Sequence, residues 1–465
     1  MTSTEVIILA GGQGVRMHSN RPKSLQELGG QPMIRYIVNC VTDAGVDKIH
    51  IVYGENGHQI QESIPDNHIN WVLQSAPLGT GHAVQQAIPH IDVNSTVCVL
   101  YGDIPLIQAD TVNRLIELAN SHSLSVLTVE LDNPTGYGRI KRDDEGGLQQ
   151  IVEEKDTAAE ERQIREVNAG PLAVKAKSLA RWLKLLDNNN VQSEYYLTDI
   201  IKHAVSEGVV VASFQTNDLI ETVGVNSRMD QARLERAFQM RKAEQLMKQG
   251  VHIVDPARFD LRGKCTAGKD CRIDANVLLE GDVTLDDGVS IASNCVVRDS
   301  KLGTGVEIKP FSSVEGAEIG EGCTVGPFAR IRPGTVIGKN SRIGNYVEIK
   351  SSIIGEDTKI SHLAYIGDAQ IGNHVNVGAG VITCNFDGKR KHQTYIGDHA
   401  FIGSNSALVA PLEVQEYAFI GAGSTISTNV DSGELVVERG EVRRIKNRHG
   451  PRNGQKSRLS GKSAG

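Results

Sequence analysis

Small or aliphatic residues recur every six positions from about residue 250 onward. The repeating positions fall in three stretches: Ile273, Leu279, Leu285, Ile291 and Val297; Val325, Ile331, Ile337, Ile343 and Ile349; Ile396, Ile402, Leu408, Val414, Ile420 and Ile426. A helix turns every 3.6 residues and a strand alternates every two, so neither keeps such a stripe on one face. Three hexads make one coil of a parallel β-helix with a triangular section, in which the repeating aliphatics stack inside. The spacing therefore predicts a β-helix over residues 250–440.

Composition agrees with a narrow, repetitive architecture over part of the chain. Glycine accounts for 48 of the 465 residues and aromatic residues for only 4%, so tight bends are frequent and bulky core rings are few. A glycine-rich irregular domain is the alternative. The hexad series breaks once, between Ile382 and Ile396, which predicts a protruding loop. Residues 441–465 are basic and nearly devoid of apolar residues, which predicts a disordered, solubilising tail, with a nucleic-acid-binding arm as the alternative.

The first half of the chain alternates β-rich runs with helical stretches. Strands are expected at Val6–Ala10, Ile49–Tyr53, Trp71–Leu73, Val97–Tyr101, Leu124–Leu131 and Val209–Phe214, and helices at Pro32–Ala44, Ala83–Ile88 and Thr111–Ala119. This alternation predicts a Rossmann-like α/β domain with a mainly parallel sheet over residues 1–227. A largely polar helix over residues 228–249 is expected to link it to the β-helix.

Charge and cysteine content exclude several classes of protein. A formal net charge of −7 gives no general reason to expect nucleic-acid binding. Seven scattered cysteines without a Cys-x-x-Cys motif indicate reduced thiols, and neither a disulfide framework nor a zinc site. The N-terminus lacks the basic segment of a signal peptide, and no apolar run is long enough to span a membrane. We therefore expect a cytoplasmic protein.

A glycine-rich loop follows the first predicted strand. It reads Gly11-Gly12-Gln13-Gly14-Val15-Arg16-Met17, with Pro22-Lys23 shortly after. Glycines let backbone N–H groups approach an anion closely, and a helix N-terminus favours negative charge. The loop has Met17 where a dinucleotide-binding fingerprint has its third glycine, and it lacks the P-loop pattern. Arg16 and Lys23 add the cations that could neutralise a triphosphate and a developing pyrophosphate.

This segment resembles the signature of sugar-1-phosphate nucleotidyltransferases. The resemblance implies UTP and sugar-nucleotide contacts at Leu9, Ala10, Gly11, Gly12, Lys23, Gln74, Gly79, Thr80, Tyr101, Gly102, Asp103, Gly138, Glu153, Asn168 and Asn226. Within that set it assigns Mg²⁺ to Asp103 and Asn226, uracil to Gln74 and the Gly79-Thr80 turn, and the sugar to Gly138, Glu153 and Asn168.

Physical arguments bear on some of these assignments. Asp103 follows an apolar strand, at the edge where open α/β sheets bind ligands, and a carboxylate suits Mg²⁺. Asp103, Asn168 and Asn226 could instead be turn residues, and Glu153, in a charged string, could belong to a solvated face.

The pairing of such a domain with a hexapeptide coil resembles one group of enzymes. These are the bacterial bifunctional N-acetylglucosamine-1-phosphate uridylyltransferases/glucosamine-1-phosphate N-acetyltransferases, and the resemblance extends from Val6 to about Arg439. It implies a left-handed β-helix, a homotrimer, and Mg²⁺ with acetyl-CoA and UTP as co-substrates. It also implies a role in supplying cell-wall or lipopolysaccharide precursors.

Spacing along the coil independently places two pairs of residues together. Arg332 and Lys350 are eighteen residues apart, and each directly follows a corner aliphatic, so one full coil stacks their cations as a clamp for a sugar phosphate. Ser404 and Ala422 have the same spacing, each two residues after a corner.

The resemblance assigns roles to further residues of the β-helix. His362 is expected as the general base that deprotonates the amine, because imidazole titrates near neutrality, and Glu348 as the carboxylate that orients it. The other implied contacts are Tyr365, Asn376 and Lys391 to the sugar phosphate, and Ala379, Asn385, Phe386, Ser404, Ala422 and Arg439 to acetyl-CoA. The implied catalytic set is His362, Glu348, Ser404, Asn385, Arg16 and Lys23. Phe386 stands where the family commonly has tyrosine, and a lone histidine could be an ordinary surface residue.

Two alternatives compete with a bifunctional enzyme. One is another sugar-1-phosphate nucleotidyltransferase whose coil only oligomerises or regulates, and the presence of Arg332, Lys350, His362 and Asn385 together argues against it. The other is a non-catalytic sensor of nucleotide sugars, against which Lys23 and Asp103 argue.

Overall fold

The computed structural model of this chain describes residues 3–12, 14–46, 48–55, 57–66, 68–440 and 444. The chain divides into two compact units, one formed by residues 1–287 with 292–299 and the other by residues 288–291 with residue 300 onward. Apart from residue 444, the tail predicted over residues 441–465 lies outside the described residues.

The first unit begins with an α/β domain. Its helices are α1 (Met33–Asp43), α2 (His58–Ser63), α3 (Thr80–Ala87), α4 (Ala109–His122), α5 (Ala176–Trp182), α6 (Asp199–Ser206) and α7 (Arg228–Lys248). Its strands are β1 (Thr4–Leu9), β2 (Glu27–Leu28), β3 (Gln31–Pro32), β4 (Lys48–Tyr53), β5 (Ile69–Leu73), β6 (Thr96–Tyr101), β7 (Leu124–Glu130), β8 (Arg139–Arg142), β9 (Leu148–Val152), β10 (Glu166–Lys175) and β11 (Ala212–Gln215).

The main sheet has the strand order β11-β7-β10-β6-β1-β4-β5. The pairs of β1 with β4 and β6, of β4 with β5 and of β11 with β7 are parallel, as the alternation predicted. Strand β10 is the exception, since it runs antiparallel to both β6 and β7. It follows the β8–β9 hairpin, which carries the chain back across the sheet, and its register shifts between Asn168 and Leu172.

An apolar layer covers each face of the sheet. Successive side chains of a strand point to opposite faces, so each central strand contributes to both layers. Val6 and Ile8 pack with α1 and α4 on one face, whereas Ile7 packs with α3, α5 and α6 on the other. Burial on both faces gives the near-continuous apolar runs that predicted these strands.

Helix α7 begins two residues after Asn226, with Ser227 as its N-cap. The Ser227 side chain accepts from the backbone N–H of Asp230, and the Asp230 carboxylate accepts from the backbone N–H of Ser227, which together form a capping box. Helix α7 belongs to the first unit, as do the coil strands up to residue 285 and residues 296–298, so that compact unit extends beyond residue 249.

The hexad half consists of short strands. They are β12 (His252–Ile253), β13 (Asp260–Ala267), β14 (Arg272–Ile273), β15 (Leu278–Leu285), β16 (Ser290–Ile291), β17 (Val296–Arg298), β18 (Lys301–Leu302), β19 (Glu307–Ile308), β20 (Ser313–Glu315), β21 (Ala317–Ile319), β22 (Thr324–Val325), β23 (Arg330–Ile331), β24 (Thr335–Ile337), β25 (Arg342–Asn345), β26 (Glu348–Lys350), β27 (Ile353–Ile354), β28 (Lys359–His362), β29 (Tyr365–Gly367), β30 (Ala369–Ile371), β31 (Asn376–Val377), β32 (Ile382–Cys384), β33 (Thr394–Ile396), β34 (Phe401–Ile402), β35 (Ala407–Val409), β36 (Leu412–Val414), β37 (Phe419–Ile420), β38 (Thr425–Ile426) and β39 (Leu435–Val436).

These strands pair in parallel from one coil to the next. In the second unit Ile331 pairs with Ile349 and Ile402 with Ile420, which are the eighteen-residue steps read from the sequence. Every aliphatic position of the hexad series is buried, with at most 3% of its surface exposed. The predicted β-helix is therefore confirmed, and its core is the column of stacked aliphatic side chains.

The break in the hexad series is a hairpin between β32 and β33. Phe386 and Lys391 form an antiparallel bridge, and the Asp387 carboxylate accepts from the backbone N–H groups of Lys389 and Arg390. Across the described part of the chain, we find no helix with the length and apolar character needed to cross a membrane.

Candidate active sites

Two adjoining cavities open at the carboxyl ends of β1 and β6. The smaller, of about 230 Å³, is lined by Leu9, Ala10, Gly11, Gly12, Lys23, Gln74, Gly79, Thr80, Tyr101, Gly102 and Asp103, among others. The larger, of about 840 Å³, shares Thr80, Tyr101 and Asp103 with it and adds Arg16, Gly138, Glu153, Asn168 and Asn226. The structure thus places every residue that the sequence assigned to the nucleotide and its sugar in the lining of these two cavities.

Hydrogen bonds to backbone carbonyl groups fix the walls of the smaller cavity. The N–H of Gly102 donates to the carbonyl of Leu9 at 2.8 Å, which ties the ends of the two central strands together. Nε2 of Gln74 donates to the carbonyl of Gly79 at 3.2 Å. Gly79 has a φ of +108°, and a Cβ there would lie 2.6 Å from the Tyr195 carbonyl oxygen, so only glycine fits this turn before α3.

Lys23 lines the smaller cavity and contacts two residues that line the larger one. Its Nζ contacts Oδ2 of Asp103 and lies 2.8 Å from Oδ1 of Asn226, and Nη2 of Arg16 donates to the same Asn226 oxygen at 3.0 Å. Because one nitrogen touches both oxygens, a single cation can contact Asp103 and Asn226 at once. Their hard oxygen atoms are ligands that Mg²⁺ prefers, so these residues fit a magnesium site.

Glu153 faces the larger cavity and not bulk solvent. Oγ1 of Thr198 donates to its Oε1 at 2.8 Å. Burial raises the pKa of the Glu153 carboxyl, and the Thr198 hydrogen bond partly offsets that rise. The reading of Glu153 as part of a solvated face is therefore wrong. Thr198, which no motif in the sequence marks, holds the carboxylate in place.

Arg332, Lys350 and Lys391 form a cationic cluster in the second unit. Nη1 of Arg332 lies 2.8 Å from Oε1 of Glu348 on the next coil. Lys391 is the main cause that lowers the pKa of Lys350 from its ordinary value, and burial and Arg332 add to the effect. The ammonium groups of Lys350 and Lys391 repel each other, and an anion bound between them would relieve that repulsion.

His362 has a different partner from the one predicted. Its Nδ1 donates to Oδ1 of Asn345 at 2.6 Å, whereas Glu348 pairs with Arg332. The reason is the register: Asn345 pairs with His362 along β25 and β28, but Glu348 pairs with Tyr365 along β26 and β29, on the adjacent face of the coil. The prediction that Glu348 orients His362 is therefore wrong, because the hydrogen-bond partner of His362 is Asn345.

Asp368 is a second residue that the sequence reading missed. Its Oδ2 accepts from Nδ2 of Asn385 at 2.5 Å and lies 4.0 Å from Nζ of Lys350. The hydroxyl of Tyr365 and the amide of Asn385 meet over Gly367, where a Cβ would lie 2.5 Å and 2.8 Å from them. Asp368 thus links Lys350 and Asn385, two predicted substrate contacts that lie at least seventeen residues from it in the sequence.

The residues assigned to acetyl-CoA lie on successive coils. Backbone N–H groups of Asn405 and Gly423 donate to the carbonyls of Ala379 and Ser404 at 2.7 and 2.8 Å, and Nε of Arg439 donates to the carbonyl of Ala422 at 3.0 Å. These residues and Asn376 follow the strand column that contains His362, whereas Arg332, Lys350 and Tyr365 follow the neighbouring column. Phe386 exposes 61% of its surface on the hairpin.

Two family models match this chain. The MobA-like NTP transferase domain matches residues 6–192, and the bacterial transferase hexapeptide (six repeats) matches residues 316–351. The solved structure of a UDP-glucose pyrophosphorylase complexed with UDP-glucose covers 51% of this chain and 98% of its own, at 18% identity and a TM-score of 0.43.

Curated relatives match both halves together. The bifunctional protein GlmU of Marinobacter nauticus is 49% identical over 445 residues, which are 96% of this chain and 98% of the relative. That of Ruthia magnifica is 49% identical over 447 residues, with the same coverage. These matches confirm the fold class predicted from the sequence, an α/β nucleotidyltransferase domain followed by a left-handed β-helix of hexapeptide repeats. With such identity along nearly the whole length, this chain belongs to the family of the bifunctional protein GlmU.

Proposed function

We propose that this chain makes UDP-N-acetylglucosamine by two transfers at two separate sites. As a member of its family it is a bifunctional transferase with an acetyltransferase and a uridylyltransferase activity. The β-helix transfers acetyl from acetyl-CoA to glucosamine-1-phosphate. The α/β domain then joins the resulting N-acetylglucosamine-1-phosphate to UTP and releases pyrophosphate.

One observation supports the assignment of uridylyl transfer most strongly: the nucleotide residues and the sugar residues line two cavities that share Asp103. In this arrangement the phosphate of the sugar attacks the α-phosphorus of UTP in line. Lys23 and Arg16 neutralise the phosphates and the leaving pyrophosphate, so positioning and electrostatics do most of the work. Asp103 and Asn226 would hold Mg²⁺, which supplies positive charge to phosphate oxygens when bound.

In acetyl transfer His362 acts as the general base. With Nδ1–H donating to Asn345, the lone pair of Nε2 is available to take a proton from the attacking amine. Arg332, Lys350 and Lys391 bind the sugar phosphate. Ser404, with Asn385, stabilises the tetrahedral intermediate before coenzyme A leaves.

We also propose a homotrimer that works in the cytoplasm, where UTP and acetyl-CoA are available. The proposed active-site residues lie on two adjacent faces of the β-helix, over several successive coils, and a second subunit could close the space outside them. Size-exclusion chromatography with light scattering would test this, since a trimer has three times the 50.3 kDa mass of the chain.

The decisive experiment is mass spectrometry of one mixture that contains the protein, glucosamine-1-phosphate, acetyl-CoA, UTP and Mg²⁺. We expect UDP-N-acetylglucosamine, and single omissions assign each step. Accumulation of N-acetylglucosamine-1-phosphate alone would overturn the nucleotide assignment. Unchanged glucosamine-1-phosphate would reduce the coil to an assembly module.

A further inference from the structure

Arg139 is a buried cation next to the larger cavity of the α/β domain. It is the first residue of β8, and its side chain exposes only 2% of its surface. A charged group is rarely buried so deeply without a partner. Its partner is Glu154, whose Oε2 lies 2.7 Å from Nη1 of Arg139.

The same guanidinium also contacts the turn that precedes β8. Its Nη1 donates to the carbonyl oxygen of Tyr137. The ion pair with Glu154 and the hydrogen bond to Tyr137 therefore connect the turn over residues 135–138 to the chain that leaves β9.

Both segments that Arg139 connects adjoin the sugar end of the cavity. Thr135, Gly136, Tyr137 and Gly138 line it, and so does Glu153, the neighbour of Glu154. The carbonyl of Gly138 accepts from the backbone N–H of Asn168 at 2.8 Å, and a Cβ on Gly138 would lie only 2.8 Å from Cγ2 of Ile151. A small movement of the turn would therefore displace Gly138, Glu153 and Asn168 together.

We infer that Arg139, through its ion pair with Glu154, is a positioning residue that sets the affinity of the α/β domain for the sugar-phosphate substrate. Its polar contacts among the described residues are with Glu154 and Tyr137, so we expect its effect at the sugar end. This inference rests on the uridylyl transfer proposed above.

The test compares kinetics of the full-length protein with two substrates varied in turn. In Arg139→Met, which keeps the length of the side chain but loses its charge, the KM for N-acetylglucosamine-1-phosphate should rise about tenfold or more. The KM for UTP should change less than about twofold, and acetyl transfer should be unchanged. Arg139→Lys retains the charge and should recover part of the loss.

Arg142→Met is the matched control on the same strand. Arg142 pairs with Glu166 at 2.6 Å, but it lies at the far end of β8 and is not part of the cavity lining. We expect wild-type values of both KM constants for this variant.

The outcomes separate this inference from the proposed function. Equal rises of both KM constants, or an unchanged KM for the sugar phosphate in folded Arg139→Met, would refute the positioning role while leaving uridylyl transfer intact. If Arg139→Met fails to fold, the same comparison on Glu154→Gln decides, because that side chain is one-third exposed. A wild-type protein without uridylyl transfer would instead refute the proposed function.

Discussion

The Nζ atom of Lys23 lies 2.8 Å from Oδ1 of Asn226. Because the same nitrogen contacts Asp103, one ammonium group bridges the two oxygens proposed as magnesium ligands. An ammonium and a divalent cation repel each other strongly at this distance, so they do not share the same oxygens. If Asp103 and Asn226 hold the metal as proposed, we expect Lys23 to move toward the nucleotide phosphates when the metal binds, which would couple the two binding events.

Removal of the Lys23 charge should strengthen metal binding in the absence of nucleotide. In Lys23→Met we expect the affinity for Mn²⁺, measured by electron paramagnetic resonance without UTP, to increase about fivefold or more. Lys48→Met is the control. Lys48 pairs with Glu5 at the amino ends of β4 and β1, whereas Asp103 follows the carboxyl end of β6. Mn²⁺ binding that is unchanged or weaker in Lys23→Met would contradict the competition.

Loss of the Asp103 charge should abolish one activity and spare the other. Asp103→Asn keeps the shape of the side chain but weakens its interactions with cations, so uridylyl transfer should fall at least about 100-fold in kcat. Acetyl transfer should persist, since the residues proposed for it lie in the second compact unit. Asp110→Asn, at the exposed start of α4, provides the control. Simultaneous loss of both activities in folded Asp103→Asn would refute two separate sites.

The β-helix could be predicted from the sequence because its core is a one-dimensional repeat. Each inward position, such as Ile331 or Ile349, is set by its distance along the chain from the previous corner. The same arithmetic stacked Arg332 with Lys350. The parallel strands of the α/β domain were recognisable for a related reason, since burial on both faces leaves continuous apolar runs.

Contacts between faces and across loops could not be predicted in this way. Asn345 meets His362 through the register of β25 and β28, and Asp368 meets Asn385 at the start of the hairpin. Neither residue belongs to a sequence motif. The antiparallel course of β10 depends on the hairpin before it and not on its own composition. The pairing of Arg139 with Glu154 is a tertiary contact between two residues that look like ordinary surface charges.

Asn345 should control the tautomer of His362. In Asn345→Ala the acceptor of the Nδ1 proton is lost, so the free lone pair is no longer held on Nε2. We expect kcat of acetyl transfer to fall about 10- to 100-fold and its pH profile to shift, with the KM for acetyl-CoA nearly constant. Lys359→Ala, on the same strand, is the control, and His362→Ala sets the floor. A wild-type pH profile in Asn345→Ala would remove Asn345 from the mechanism.

The buried Glu153 carboxylate should lower the stability of the folded protein at neutral pH. Its pKa is raised in the folded protein, chiefly by burial, so folding becomes less favourable as pH rises through the unfolded and then the folded pKa. Glu153→Gln lacks this penalty and keeps an acceptor for Thr198. The variant should therefore melt at a higher temperature than wild type at pH 7.5, and the difference should shrink as pH falls toward 4.5. Scanning calorimetry with exposed Glu145→Gln as control tests this, and a less stable Glu153→Gln at pH 7.5 would contradict it.

A cavity in the β-helix core should damage the second unit alone. Ile349, which lies between Glu348 and Lys350 in the sequence, is fully buried. Ile349→Ala should therefore lower the free energy of unfolding by about 2–5 kcal/mol. Val336→Ala, at a position that is 43% exposed, should cost less than about 0.5 kcal/mol. The two tryptophans, Trp71 and Trp182, both lie in the first unit, so their fluorescence reports its unfolding separately from acetyltransferase activity. In urea, Ile349→Ala should lose acetyl transfer at a lower concentration while the tryptophan midpoint stays in place. A joint shift of both midpoints would show that the two units unfold as one.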